Sequence, residues 1–159
     1  MNWQEICSNP NLQNLPFKIE SNRQGQLIMS PAKLSHGAYQ VEIAHILKKS
    51  RNNGKVVTEC AVKTSEGTKV ADVAWFSEER WRQVKDAFES PISPEICVEI
   101  VSNSNTRKEL SAKKKLYFEN GAEEFWLCGT DGNISFYSRK KGKIPKSSLI
   151  SEFPIKIEI

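Results

Sequence analysis

Two carboxylates and one ammonium group stand where the pattern of the chain calls for apolar side chains. In the run Val70-Ala71-Asp72-Val73-Ala74-Trp75-Phe76, strand alternation puts Val70, Asp72, Ala74 and Phe76 on one face, with Asp72 its polar member. In Ile96-Cys97-Val98-Glu99-Ile100-Val101, Glu99 shares a face with Cys97 and Val101. An ionised carboxylate buried alone costs roughly several kcal/mol even after relaxation, so each needs a cation, hydrogen-bond donors or water. The third group lies on the helix expected after the second strand. At about 100° per residue from Leu110, Lys113 falls at about 300°, between Leu116 at about 240° and Tyr117 at about 340°. Of the run Lys113-Lys114-Lys115, the first therefore faces the apolar stripe, the second its edge and the third away. Two such carboxylates and a lysine suit phosphodiester hydrolysis. The acids would hold a hard divalent cation, and the lysine would orient water or offset charge in the transition state. A buried ion pair, or carboxylates reaching solvent at a sheet end, would use the same residues, and spacing alone leaves both readings open.

The elements that must position these groups follow from local pattern. Residues 17–30 form a hairpin around a polar turn at 21–25, ended by Pro31. Ser35 is placed to cap a helix running to about residue 49, which Asn52-Asn53-Gly54 stops. Its apolar residues lie on most sides, so cover over much of its surface is expected. Strands at 55–62 and 68–76 flank the turn Ser65-Glu66-Gly67, and a short helix starts at Ser77. The near-continuous apolar run 95–101 suits a sheet centre. Thr106-x-x-Glu109 is a capping box for the helix that carries Lys113, and Asn120-Gly121 ends it. Strands at 123–128 and 133–138, a basic loop and a last strand at 154–159 complete a mixed α/β (α+β) fold.

The 159 residues, 38% hydrophobic and 26% charged, are expected to form one domain, 1–159, and do not fit a collagen-like or disordered chain. No apolar run approaches the ~20 residues of a bilayer helix and no secretory signal is visible, so a cytoplasmic location without membrane contact is expected. The net charge of +4 is small, but residues 61–104 are net acidic between two net basic ends. Cys7, Cys60, Cys97 and Cys128 form no Cys-x-x-Cys pair, and the two histidines, His36 and His45, are far apart, which argues against structural zinc. Cys60, Cys97 and Cys128 read as small buried hydrophobes.

Taken in order, these motifs resemble the Uma-two family of restriction endonucleases, within the PD-(D/E)XK nuclease superfamily. The resemblance rests on Gly25-Gln26-Leu27-Ile28-Met29-Ser30-Pro31 with His36-Gly37, on Ala71-Asp72-Val73-Ala74-Trp75 and on 94–102. It continues through Glu109-Leu110-x-x-Lys113 to Tyr117, Gly121, Glu124 and Phe125-Trp126. It implies a restriction-endonuclease-like core, a mixed central sheet flanked by helices. It implies a metal-dependent DNA endonuclease in which Asp72, Glu99 and Ile100 form the ligand set for Mg2+, with Mn2+ as substitute, and Lys113 is the catalytic lysine. DNA is then the partner, and a homodimer fits the habit of many superfamily members. Ala71 stands where the motif has proline, Val101 where it has lysine, and Asn103 where the family commonly has proline. The family moves that lysine to the next helix, the position the helical wheel selects independently.

Other residues are weaker candidates. Glu42, on the first long helix, is an expected additional catalytic acid, as superfamily members often add one there; a partly exposed glutamate is the plain alternative. Glu20 is either a further acid or structural. His36 reads as a packing or hydrogen-bonding residue rather than a ligand, and Ser102 and Ser104 as helix caps before phosphate contacts. The basic segments at 107–108 and 139–143 fit DNA but also fit solvated loops. A non-catalytic nucleic-acid-binding domain on the same fold is the competing reading. A self-associating protein, suggested by Trp3, Trp75 and Trp81, is a third.

Overall fold

A computed structural model describes residues 1–103 and 105–159. The chain opens with a short helix, α1 (Trp3–Ser8), capped by Asn2 in a reciprocal box with Glu5, and a 3-10 turn at Pro10–Leu12. The hairpin β1 (Phe17–Ser21) and β2 (Leu27–Pro31) forms its own two-stranded sheet. Helix α2 (Leu34–Ser50) leads to β3 (Lys55–Thr64) and β4 (Gly67–Phe76), then helix α3 (Glu78–Val84) and β5 (Ile96–Ile100). Helix α4 (Arg107–Glu119), β6 (Glu124–Cys128), β7 (Ile134–Ser138) and β8 (Gly142–Ile144) follow. The six strands β3 to β8 lie in sequence order in one mixed sheet, antiparallel except for β5 beside β6. The parallel pair needs a crossover, and α4 supplies it.

Each face of the sheet has its own core. One packs Tyr39, Ile43 and Leu47 of α2, with Ile150, Phe153 and Ile157 of the C-terminal segment, against Val73, Val98 and Trp126. The other packs Val84 and Tyr117 against Ala74, Cys97 and Phe125. Burial of these aliphatic and aromatic side chains is the main favourable term in folding. Cys60, Cys97 and Cys128 are buried free thiols, and burial pushes Cys60 up to about 12, the mark of an inert thiol.

The C-terminal segment is fixed by a carboxylate. Glu124, 2% exposed, accepts through Oε1 from the Ser148 and Leu149 amides at 2.7 and 3.1 Å. Its Oε2 accepts from Trp126 Nε1 and Ser147 Oγ, both at 2.7 Å.

Several expectations are corrected. The segment 154–159 makes one bridge, Asn133 to Lys156, rather than a strand, and the last strand, β8, lies inside the basic loop. Lys33, without a side-chain cap bond, precedes α2, and Ser35 sits inside it. Helix α2 is covered on one face: Tyr39, Ile43 and Leu47 are buried, while Leu34 and Val41 are exposed. Trp75 is buried and Trp3 and Trp81 are half-buried, which removes the aromatic patch behind the self-association reading. No helix among the described residues is long and apolar enough to cross a membrane.

Alternation along β4 also changes phase at Asp72. Ala71, rather than Val70, joins Ala74 and Phe76 in one core, whereas Val73 and Trp75 belong to the other. The cause lies opposite, on β3. Glu59 has φ of 51°, and the ladder skips the Glu59–Asp72 position between the pairs Thr58–Val73 and Cys60–Ala71. The Gln40 amide fills the gap, donating to the Asp72 carbonyl at 2.8 Å and to Glu59 Oε1 at 2.7 Å.

Candidate active site

The register of β4 on β5 pairs Val73 with Val98 and Ala74 with Cys97, and one step further sets Asp72 opposite Glu99. Each side chain is 1% exposed. Asp72 Oδ2 accepts from the Ile100 amide at 2.7 Å, which fixes the carboxylate to the end of β5. Glu99 Oε1 accepts from the Tyr117 hydroxyl at 2.8 Å.

Helix α4 brings Lys113 to the same place because its capping box at Thr106 and Glu109 sets where the helix starts. Lys113 is buried, Lys114 half-buried and Lys115 exposed, the order the helical wheel predicts. Lys113 Nζ donates to Glu99 at 3.1 and 3.2 Å and lies 2.6 Å from Glu20 Oε1.

The β1–β2 hairpin supplies the other wall. The β3–β4 turn is drawn against it at Gly67, where φ is 91° and an added Cβ would stand 2.5 Å from the Ser21 carbonyl oxygen. The Thr68 amide donates to Ser21 Oγ at 2.9 Å and the Val70 amide to Glu20 Oε1 at 2.7 Å. Alternation on β1 then turns Lys18 to the same side as Glu20. Lys18 Nζ lies 2.6 Å from Asp72 Oδ1 and 3.5 Å from Glu99 Oε2. From α2, His36 Nε2 lies 3.2 Å from Asp72 Oδ1.

These groups line a cavity of about 460 Å³ that also exposes Gln40, Glu59 and Ser102. Electrostatics there are set by pairing against burial. Burial alone would raise the Asp72 carboxyl, but the His36 hydrogen bond and the Lys18 charge outweigh it and hold Asp72 well below the usual carboxylate range. Burial raises Glu99, with Lys113 and Lys18 opposing. Burial would lower the Lys18 ammonium, yet Glu99, Asp72 and Glu20 together hold it protonated. The Asp72 hydrogen bond raises His36.

Of the residues singled out from sequence, Asp72, Glu99 and Lys113 meet, and Ile100 adjoins them through its amide. Glu42 does not: it is half-buried on α2 and outside the cavity, which the helix reaches with His36, Gly37 and Gln40. Glu20 joins the cluster through Lys113, and His36 touches it through Asp72. Ser102 hydrogen-bonds Asn105 and does not cap α4, whose cap is Thr106; Ser104 lies outside the described residues. Sequence reasoning missed Lys18, Gln40 and Glu59. Lys18 carried a usable signal, since it alternates with Glu20.

The donor set fits the cation that the family resemblance implies. The Asp72 and Glu99 carboxylates and a backbone carbonyl at Ile100 are hard oxygen donors of the kind magnesium takes. Among the described residues no three or more His, Cys, Asp or Glu side chains form a metal site, but magnesium binds through one or two carboxylates.

The family model described as "Putative restriction endonuclease" (Uma2) matches residues 3–153. The chain belongs to this family. Its fold recurs in a solved structure described as a "putative nuclease belonging to DUF820" from Anabaena variabilis ATCC 29413, with a TM-score of 0.77. The two share 17% identity over 98% of this chain and 94% of that one. A type IIG restriction endonuclease, BpuSI, aligns with a TM-score of 0.44 at 16% identity, over 71% of this chain and 13% of that one. No curated protein matches the chain. The mixed sheet of this Uma2-family protein, flanked by helices, is the restriction-endonuclease-like fold.

Proposed function

We propose that this Uma2-family protein is a magnesium-dependent DNA endonuclease, able to use manganese, that hydrolyses phosphodiester bonds at the cavity between β4, β5, α4 and the β1–β2 hairpin. One observation carries the reading: Asp72, Glu99 and Lys113, chosen from separate parts of the chain, converge there. Each interrupts an apolar surface, and together they bury charge that a merely structural core would be more stable without.

Asp72 and Glu99 would hold the metal, with Ile100, whose amide already fixes Asp72, as the third proposed ligand. A metal held there would supply Lewis-acid polarisation of the phosphate and lower the pKa of a water. The chain's own residues do the rest. Glu20 and Glu99 fix the Lys113 ammonium from two sides, which holds it beside the place the phosphate or attacking water would occupy. Tyr117 and the Ile100 amide hold the two carboxylates at fixed angles, which limits reorganisation during the reaction. Arg107 and Lys108 at the exposed start of α4 supply charge for the DNA backbone.

The test incubates purified protein with supercoiled and single-stranded DNA in Mg2+ or Mn2+, beside Asp72→Ala and Lys113→Ala. Nicking that both substitutions abolish is expected; nicking that survives both removes the site assignment. DNA binding without cleavage under any condition would favour the non-catalytic module, for which the internal pairing of the carboxylates is the supporting feature. Linear product in the first turnover, rising with protein concentration, would indicate two copies acting together.

A further inference from the structure

The β1–β2 hairpin contributes a cation to the cluster as well as Glu20. Lys18 Nζ lies 2.6 Å from Asp72 Oδ1 and 3.5 Å from Glu99 Oε2. Of the other contacts, Asp72 Oδ2 takes the Ile100 amide and Glu99 Oε1 the Tyr117 hydroxyl, while His36 Nε2 lies 3.2 Å from Oδ1 and Lys113 Nζ 3.1 Å from Oε2 and 3.2 Å from Oε1. Among the described residues, Lys18 is the cation in ion-pair contact with both carboxylates, so it spans the place one divalent ion would share between them. An ammonium and a hydrated magnesium ion cannot both occupy that space.

The surroundings of Lys18 differ from those of the groups it joins. Its side chain is 14% exposed against 1% for both carboxylates, beside the cavity that all three line. A flexible four-carbon stem on a two-stranded sheet lets the ammonium swing out without moving the core. Lys113 lacks that freedom, held between Glu20 and Glu99 on the inner face of α4.

We propose that Lys18 is an exchangeable stand-in for the metal: it neutralises and aligns Asp72 and Glu99 in the metal-free protein and leaves when a divalent ion enters. This inference rests on the metal-dependent reading above. Lys18 keeps the two strands from repelling each other at Asp72 and Glu99, and the same contact weakens apparent metal affinity, because entry requires its displacement. The released ammonium stays on the cavity wall.

Calorimetric titration with Mn2+ alone, with no DNA, tests the exchange on wild type, Lys18→Met, Lys18→Arg and Asp72→Ala. Lys18→Met is expected to bind Mn2+ about tenfold more tightly or better, about 1.4 kcal/mol, and Lys18→Arg to stay near wild type. In EDTA, Lys18→Met should melt below wild type, and Mn2+ should raise its midpoint more than it raises that of wild type. Equal or weaker Mn2+ binding by Lys18→Met, with Asp72→Ala abolishing binding, would overturn the role of Lys18 and leave the metal reading standing. Binding by none of the proteins would overturn the metal reading and this inference with it. Should Lys18→Met not fold without metal, Lys18→Gln carries the same comparison.

Discussion

Lys113→Met separates charge from packing at the most enclosed cation of the site. Methionine keeps an unbranched stem of similar length, so the buried face that Lys113 shares with Leu116 and Tyr117 stays filled while the ammonium is lost. That ammonium lies 2.6 Å from Glu20 and 3.1 Å from Glu99. At an effective dielectric of about 20, each such contact is worth about 4 kcal/mol or more before desolvation, which offsets much of it. Removing one member of a buried ion network costs about 3–5 kcal/mol, because the partner charges are left uncompensated. Lys18, 3.5 Å from Glu99, absorbs part of that, so a loss of about 3 kcal/mol is expected. For a chain of this size it corresponds to about 6–12 °C in Tm. Urea denaturation in EDTA measures it. Adding Glu20→Gln should recover at least about 1 kcal/mol by removing one of the two acids left facing each other. The deficit should also shrink as pH falls. Burial raises the Glu99 carboxyl, so the native state takes up a proton before the unfolded state does, and stability contributed by that group rises toward acid. A loss under about 1 kcal/mol, or one indifferent to both Glu20 and pH, would refute a buried, charged Lys113.

Three further outcomes are expected in metal-free protein. His36 is raised by its hydrogen bond to Asp72, so its stabilisation is complete below its unfolded value of about 6.5 and fades as pH rises through the folded one. His36→Gln should remove that decline from a stability-against-pH curve, and parallel curves would count against the bond. Tyr117→Phe removes the hydroxyl 2.8 Å from Glu99 Oε1 and should cost about 1.5–3 kcal/mol in chemical denaturation; a change under about 0.5 kcal/mol would mean Glu99 does not depend on it. Glu59→Gly should be neutral or stabilising because φ is 51° there, while Glu59→Val should be less stable than Glu59→Gly by about 1–3 kcal/mol. Equal melting of the two variants would deny the strain.

What could be read in advance depended on how far each residue's neighbours constrained it. Asp72 and Glu99 stand out because a continuous apolar strand makes any charge conspicuous, and Lys113 because Leu110, Leu116 and Tyr117 define a stripe that orients the wheel. Helix α2 offers no such stripe: Leu34 and Val41 are apolar yet exposed, so the wheel could not tell that Glu42 faces away while Gln40 faces the cavity. Lys18 lies on a short strand whose flanking residues are exposed or half-buried, and nothing local marks its ammonium as enclosed. The phase change at Asp72 was not legible because it comes from a left-handed residue on the neighbouring strand, not from β4. The last strand was misplaced because the alternation of 154–159 serves packing against the sheet face, through Ile157, rather than pairing at its edge.

The molecule buries acids in two ways, and the contrast bears on what each can become. Glu124 is solvated by amides, an indole and a hydroxyl that belong to the framework, and it can change partners only if the C-terminal segment peels off the sheet. Asp72 and Glu99 are satisfied largely by the tips of long side chains, whose rearrangement leaves every strand in place. The first arrangement behaves as a rivet and the second as a socket. Charge in a socket can be refilled by another cation on the timescale of side-chain motion, whereas charge under a rivet is renewed only on the timescale of opening the fold.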